Sequence, residues 1–210
     1  MEGKASRSTY LARVISKITN PCILSVLVLL LMAYTESTNV RVLIGWIAIV
    51  FLFLALLPLV YVYIRTYKSR GGTKLLAHPT SFLKQHPRDI LILSLLLGLP
   101  GLVILVFLEA PSLLLSTLVA LLASSIVTAL FNIFYRVSYH LAAVTVLVLM
   151  AALTWGQIYF ILLAVIPLVS WAKYRINEHT PAQLAIGIAV SVAVSGATLH
   201  FFSLLLTCPQ

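Results

Sequence analysis

Charge is what this chain has least of. Only 9% of its 210 residues are Asp, Glu, Lys or Arg, against 61% that are hydrophobic. A soluble domain of this length carries charge on roughly a quarter of its residues, so a soluble globular surface is excluded. Acidic residues are the scarcest, at 5 against 14 basic ones, which leaves a formal charge of +9. That excess does not point to nucleic acid as a partner, because the basic residues lie in loops between apolar runs. Cysteine is nearly missing too. Cys22 falls inside the first apolar run and Cys208 at the far C-terminal end, which excludes a disulfide framework or a thiolate metal site. No Ala-x-Ala cleavage site follows the first apolar run, which has the length of a full helix. A retained first helix is therefore expected, not a signal peptide.

Long apolar runs are what is there. They recur from Pro21 to Leu206. A helix rises about 1.5 Å per residue, so about 20 apolar residues cross the ~30 Å hydrocarbon core. In lipid each backbone amide must be bonded within its own segment, so the runs read as helices. The expected fold is all-α: a polytopic transmembrane helical bundle of six to seven membrane helices. Its spans fall near 20–35, 40–64, 90–108, 112–134, 140–156, 158–173 and 181–206. The fifth and sixth are short and meet at Gly156-Gln157, so one re-entrant unit is the alternative. Residues 1–19 form a basic amphipathic N-terminal segment. Its Tyr10, Leu11, Val14, Ile15 and Ile18 recur at helical spacing, as in an interfacial helix leading into the first span. Residues 20–210 form a single transmembrane domain. The longest loop, 65–89, contains Gly71-Gly72, His78-Pro79 and His86-Pro87 and reads as irregular, with both histidines solvated. Gly98-Leu99-Pro100-Gly101 predicts a kink inside the third span.

With seven spans, the N-terminus and the loops after spans two, four and six share one side. Every Lys and Arg except Arg41 falls there, while Arg41 lies opposite beside Glu36 and Glu109. The positive-inside rule places the basic side in the cytoplasm.

Two polar segments interrupt the helices on that side. One is Tyr135-Arg136-Val137-Ser138-Tyr139-His140. The other runs from Trp171 through Lys173, Arg175, Glu178, His179, Thr180 and Pro181 to Gln183. Each sets a histidine near a helix start beside cations. Thr180 suits the N-cap and Pro181 the first turn of the last helix. Free amides at helix starts favour an anion, and Arg136, Lys173 and Arg175 add the fixed positive charge that a phosphate needs. A neutral imidazole can attack phosphorus, and a protonated one can give a proton to the leaving oxygen. Ionisable groups at membrane depth usually serve a site. His200, alone near a helix end and without such a partner segment, reads instead as an interfacial polar residue.

The spacing resembles a known family. Lys173, five residues, His179, three residues and Gln183 look like the third motif of the phosphatidic acid phosphatase type 2 superfamily, which reads Ser-Arg, five residues, His, three residues, Asp. Ala172-Lys173 stands at Ser-Arg, and His179-Thr180-Pro181 at the nucleophile and its His-x-Pro context. Ser138-Tyr139-His140 resembles the second motif, Pro-Ser-Gly-His. The order of the motifs and the gap of roughly 40 residues between the histidines also match. The likeness covers 130–190 and otherwise only the helix pattern. In detail it is closest to a small prokaryotic branch, which implies a prokaryotic cell membrane.

The resemblance implies a membrane lipid phosphatase. His179 would be the phosphoryl-accepting nucleophile and His140 the acid for the leaving alkoxide. Lys173 would stand for a phosphate-binding Arg, Ser138 would donate to a phosphate oxygen, and Gln183 would orient His179. The family's first motif, Lys, six residues, Arg-Pro, is absent. Lys74, Lys84 and Arg88 in the loop after span two are the candidate substitutes. Gln183 replaces an Asp, and an amide cannot stabilise an imidazolium as a carboxylate does. The expected function is hydrolysis of a lipid phosphate or diphosphate monoester, of the phosphatidate, phosphatidylglycerophosphate or polyprenyl phosphate class, through phosphohistidine. The scheme needs no metal and no cofactor. The partners are the lipid phosphate and the bilayer, and a homo-oligomer is compatible with the sequence. The alternative is a lipid-phosphate-binding or scaffold protein of the same fold that has lost the chemistry.

Overall fold

The computed structural model of the chain describes residues 7–37, 39–70 and 91–207, and among these every regular element is a helix. α1 is Arg7–Ile18 and α2 is Pro21–Glu36, with Pro21 at a helix start where its missing N–H costs nothing. Asn39 then caps α3, Val40–Phe51, by accepting from the Arg41 amide at 2.9 Å. A π-helical turn, Leu52–Leu56, joins α3 to α4, Leu57–Arg70. A second π turn, Ser94–Gly98, leads into α5, Leu99–Phe107. Where the sequence predicts a kink at Gly98–Gly101, the structure has a π turn that ends at Gly98, and Leu91–Phe107 runs on as one apolar helix. α6 is Ser112–Phe134 and α7 is Tyr139–Trp155. Gln157–Ala164 is a 3-10 helix that runs into α8, Val165–Arg175. α9, Pro181–Thr207, closes the described chain.

α6, α7 and α9 pack against one another at the centre. α2 lies across α7, α3 and α6, while α1 lies along α8. Leu29, Ala33, Trp46, Val50, Leu105, Leu114 and Leu118 form one buried cluster between α2, α3, α5 and α6. A second, of Leu141, Val144, Val148, Val169 and Leu184, ties the starts of α7 and α9 to α8 and forms the floor beneath the candidate site. Burying such side chains contributes roughly 1.5–3 kcal/mol each.

Among the described residues four helices are long and apolar enough to cross a membrane: Val40–Ile64, Ser112–Phe134, Gln157–Arg175 and Pro181–Ser203. A fifth is added if α1 and α2 count as one broken span, and Leu91–Phe107 and Tyr139–Trp155 are shorter apolar helices. Large apolar side chains point outward, with Phe107 83% and Phe134 91% exposed. Four apolar helices with such an exterior make the chain an integral membrane protein in character, compatible with a lipid bilayer.

Candidate functional site

The first polar segment is held from below by one side chain. Asn132, in the last turns of α6, receives the Val137 amide on its Oδ1 at 3.0 Å. Its Nδ2 donates to the carbonyls of Thr128 at 2.8 Å and Val137 at 3.2 Å. Asn132 thus does for the α6–α7 connection what a short β-ladder would do. Ser138 follows with extended backbone, and its Oγ accepts from the Leu141 amide at 3.4 Å, capping α7. Ser138 is fully buried, and its hydroxyl accepts from the Leu141 amide while its own hydrogen is left for another acceptor. His140, half-buried, comes in the first turn of α7.

The second segment is shaped by a reversal of the chain. Asn177 adopts φ 56°, a left-handed conformation that Asn tolerates better than most residues. The Asn177 amide donates to the Tyr174 carbonyl at 3.0 Å and the Glu178 amide to the Lys173 carbonyl at 3.1 Å. This is a Schellman closure of α8. It folds Glu178 back over Lys173, and the ammonium meets the carboxylate at 2.9 Å. Lys173 is only 3% exposed, while the Glu178 side chain that pairs with it is 31% exposed.

Then α9 begins on a reciprocal cap. Thr180 Oγ1 accepts from the Gln183 amide at 3.4 Å, and Gln183 Oε1 accepts from the Thr180 amide at 3.1 Å. The same Oε1 lies 3.3 Å from Nδ1 of His179. Gln183 therefore serves both as the capping residue and as the partner of the histidine ahead of the helix.

Packing brings the two segments together. A Cβ on Gly187 would stand 3.4 Å from the Ser138 carbonyl oxygen and from Val137 Cγ1, so glycine lets α9 lie against the start of α7. One turn on, Ser191 Oγ donates 2.9 Å contacts to the carbonyls of Ala142 and Gly187 and lies 3.2 Å from Ser124 Oγ. α1 completes the wall. Arg175 reaches Ser8 Oγ through Nε at 3.2 Å and Nη2 at 3.1 Å. Thr19, just past α1, holds its Oγ1 3.4 Å from His140 Nε2.

These contacts assign the protons on both rings. A backbone N–H faces Gln183 Oε1, which fixes the amide with its oxygen toward Thr180 and His179. An oxygen accepts only, so His179 Nδ1 carries the hydrogen and, in the neutral ring, the lone pair sits on Nε2. At the other ring, Thr19 spends its hydroxyl proton on the Ile15 carbonyl at 2.8 Å. Its Oγ1 can then only accept, so His140 carries a hydrogen on Nε2.

Of the remaining candidates, Arg136 is exposed at the chain crossing between α6 and α7. Lys74, Lys84 and Arg88 lie outside the described residues, as do His78 and His86. The sequence reading gave no role to Thr19 or Ser8 and did not pair Glu178 with Lys173. Their parts depend on where α1 lies and on the αL turn at Asn177. Among the described residues no group of three His, Cys, Asp or Glu is placed to hold a metal. An open cleft of about 370 Å³ lies elsewhere, lined by Glu36, Asn39, Trp46, Glu109 and Ser112. There Glu36 accepts from the Leu113 amide at 3.0 Å and so caps α6. No protein-family model, curated protein or solved structure matches the chain.

Proposed function

We propose that the chain is a membrane lipid phosphatase acting through a phosphohistidine intermediate. The observation that carries the proposal is the complementary pair of ring tautomers. His179 is held with a lone pair on Nε2, as a nucleophile requires. His140 keeps a hydrogen on Nε2, facing Thr19, and as the imidazolium it would supply the acid proton once that contact opens. In the proposed reaction Nε2 of His179 attacks phosphorus and a P–N bond forms. The P–O bond to the lipid breaks, and the leaving oxygen takes the His140 proton. Water then attacks phospho-His179, gives a proton back to His140 and releases inorganic phosphate. Lys173 and Arg175 supply positive charge to the phosphate, with Arg136 and the basic loop carrying Lys74, Lys84 and Arg88 as further sources. The proposed topology has six to seven spans in a prokaryotic cell membrane, with the motif face and N-terminus in the cytoplasm. This follows from the one-sided distribution of Lys and Arg.

The test is phosphate release by purified, detergent-solubilised protein, without divalent metal, from a panel of lipid monophosphates and diphosphates. His179→Ala removes the nucleophile and abolishes turnover. His140→Ala lowers it by about 10²–10⁴-fold, the usual worth of a positioned acid. Turnover that persists in His179→Ala refutes the scheme.

One observation favours the second reading, a lipid-phosphate-binding or scaffold protein without chemistry. The buried Lys173 charge is already neutralised by Glu178, and Gln183 gives His179 no carboxylate to stabilise the imidazolium. That reading expects folded protein that binds vanadate or a lipid phosphate and releases no phosphate from any of them.

A further inference from the structure

Two faces of α1 do different things. Ser8, Ala12, Ile15 and Thr19 are spaced four, three and four residues apart and so share one side of the helix. That side meets the protein: Ala12 is fully buried, Ser8 accepts from Arg175, and Thr19 touches His140. Tyr10, Leu11 and Ile18 stand exposed around a second sector, at 66%, 54% and 71%. Arg7, Arg13 and Lys17 are exposed as well, and α1 contains no acidic residue. Exposed apolar side chains beside unopposed cations, on a helix that leads into an apolar span, match the surface of a bilayer with anionic headgroups.

We propose that α1 is an anionic-lipid-responsive strut. Headgroups of negative charge on the leaflet at the site's side hold it against α8, and through Thr19 and Arg175 its docking orders the two histidine segments. The link is mechanical as well as electrostatic. Ser8 holds Arg175 two residues before the αL turn at Asn177. Thr19, fixed to the Ile15 carbonyl by its own hydroxyl, sets the ring of His140. With α1 undocked, Arg175 loses its acceptor on Ser8 and His140 its contact to Thr19. The proposal rests on the chain lying in a bilayer, and it holds whether or not the site turns over.

The full chain is reconstituted in nanodiscs of phosphatidylcholine alone, or with about one third phosphatidylglycerol. Backbone hydrogen exchange is then followed in the peptides covering 8–19 and 136–144. Anionic lipid is expected to slow exchange in both. Each basic residue near an anionic surface is worth about a fivefold change in the docking equilibrium, so the slowing shrinks about fivefold per charge removed. The triple variant Arg7→Gln, Arg13→Gln, Lys17→Gln alters only exposed side chains and is expected to exchange alike in both lipids. High salt, which shortens the reach of exposed charges, is expected to act in the same direction. Ser8→Ala with Thr19→Val keeps the cations, so 8–19 still responds to lipid while 136–144 no longer does. Equal exchange of 8–19 in the two nanodiscs, or a lipid response intact in the triple variant, overturns the lipid part. A response of 136–144 unchanged in the double variant overturns the coupling. None of these readouts involves phosphate release, so failure here is separate from failure of the phosphatase reading.

Discussion

Glu178 is the residue on which anion binding turns. Its carboxylate occupies the Lys173 ammonium at 2.9 Å, so an incoming phosphate must displace it before it gains that charge. Glu178→Gln keeps the size of the side chain and removes the competitor. It leaves a buried cation with a weaker partner, and because Glu178 itself is partly exposed the loss is below the about 3–5 kcal/mol of a fully buried pair. The amide can still accept from Lys173, so a smaller loss is expected. Melting temperature therefore falls without ligand and recovers with vanadate, which binds at least about tenfold more tightly than to the wild type. Equal vanadate affinity in the two proteins would show that Lys173 takes no part in anion binding. Gln183 offers the opposite lesson, because its cap and its histidine contact share one oxygen. Gln183→Glu keeps that oxygen in both contacts and adds a charge that favours imidazolium. Turnover rises by about tenfold if the phosphoryl-transfer scheme holds, in line with roughly 1.4 kcal/mol of added stabilisation. Gln183→Leu removes both contacts and destabilises the start of α9 by about 1 kcal/mol, visible as faster exchange of the amides of 180 and 182–184. Thr180, Pro181 and the two histidines were legible in the sequence because caps and helix starts are local. The Lys173–Glu178 pair was not, since residues five apart on a continuous helix do not face each other. Only the αL turn at Asn177 makes them meet.

Among the elements, two glycines of one helix differ in what a side chain there would meet. A Cβ on Gly101 would stand 2.9 Å from both Cβ and Cγ of Phe53, atoms tied to the α3–α4 backbone by the neighbouring π turn. A Cβ on Gly98 would collide instead with the tip of Leu122, which can rotate away. Gly101→Ala is therefore expected to destabilise by about 1–3 kcal/mol, as overpacking does, and Gly98→Ala by clearly less. Thermal denaturation in one detergent decides the order, and equal losses would mean that the π turn yields. Asn132 is the other structural key. Asn132→Leu leaves the Val137 amide and carbonyl without their partner, at a cost of about 1–3 kcal/mol for each polar group left unsatisfied. The helices themselves were readable from apolar run length, with ends close to those found except at α4. That helix runs on to Arg70, six residues into the stretch read as irregular loop, because polar residues end an apolar run without ending a helix. The π turns at Leu52–Leu56 and Ser94–Gly98 were not, nor was the 3-10 start at Gln157–Ala164. Hydrophobicity is the same whichever carbonyl an amide reaches, so run length carries no sign of a tighter or wider turn.

For the whole molecule, charge and topology make one argument that a labelling experiment can break. Glu36 ends α2, Arg41 lies in the first turn of α3 and Glu109 belongs to the α5–α6 connection. Arg136 and Glu178 belong to the α6–α7 and α8–α9 connections. If α6 crosses the membrane once, positions 109 and 136 lie on opposite faces, because Ser112–Phe134 is the whole of the chain's crossing between them. If Gln157–Arg175 crosses and returns from the Gly156 turn, 178 lies with 136. A chain with Cys22 and Cys208 changed to Ser, carrying single cysteines in place of Glu109, Arg136 or Asn177, separates these cases with a membrane-impermeant thiol reagent. Intact cells are expected to label 109 alone, and inverted vesicles 136 and 177. Label at 177 from outside the cell would make Gly156–Arg175 a re-entrant hairpin and part the two histidine segments across the bilayer. The buried contact of Gly187 with the Ser138 carbonyl argues against that, since it joins the start of α9 to the start of α7 at one membrane depth. The same contact puts both connections at one end of the helix bundle, so the proposed shared face requires label at 136 and 177 to appear together, whichever compartment that end meets.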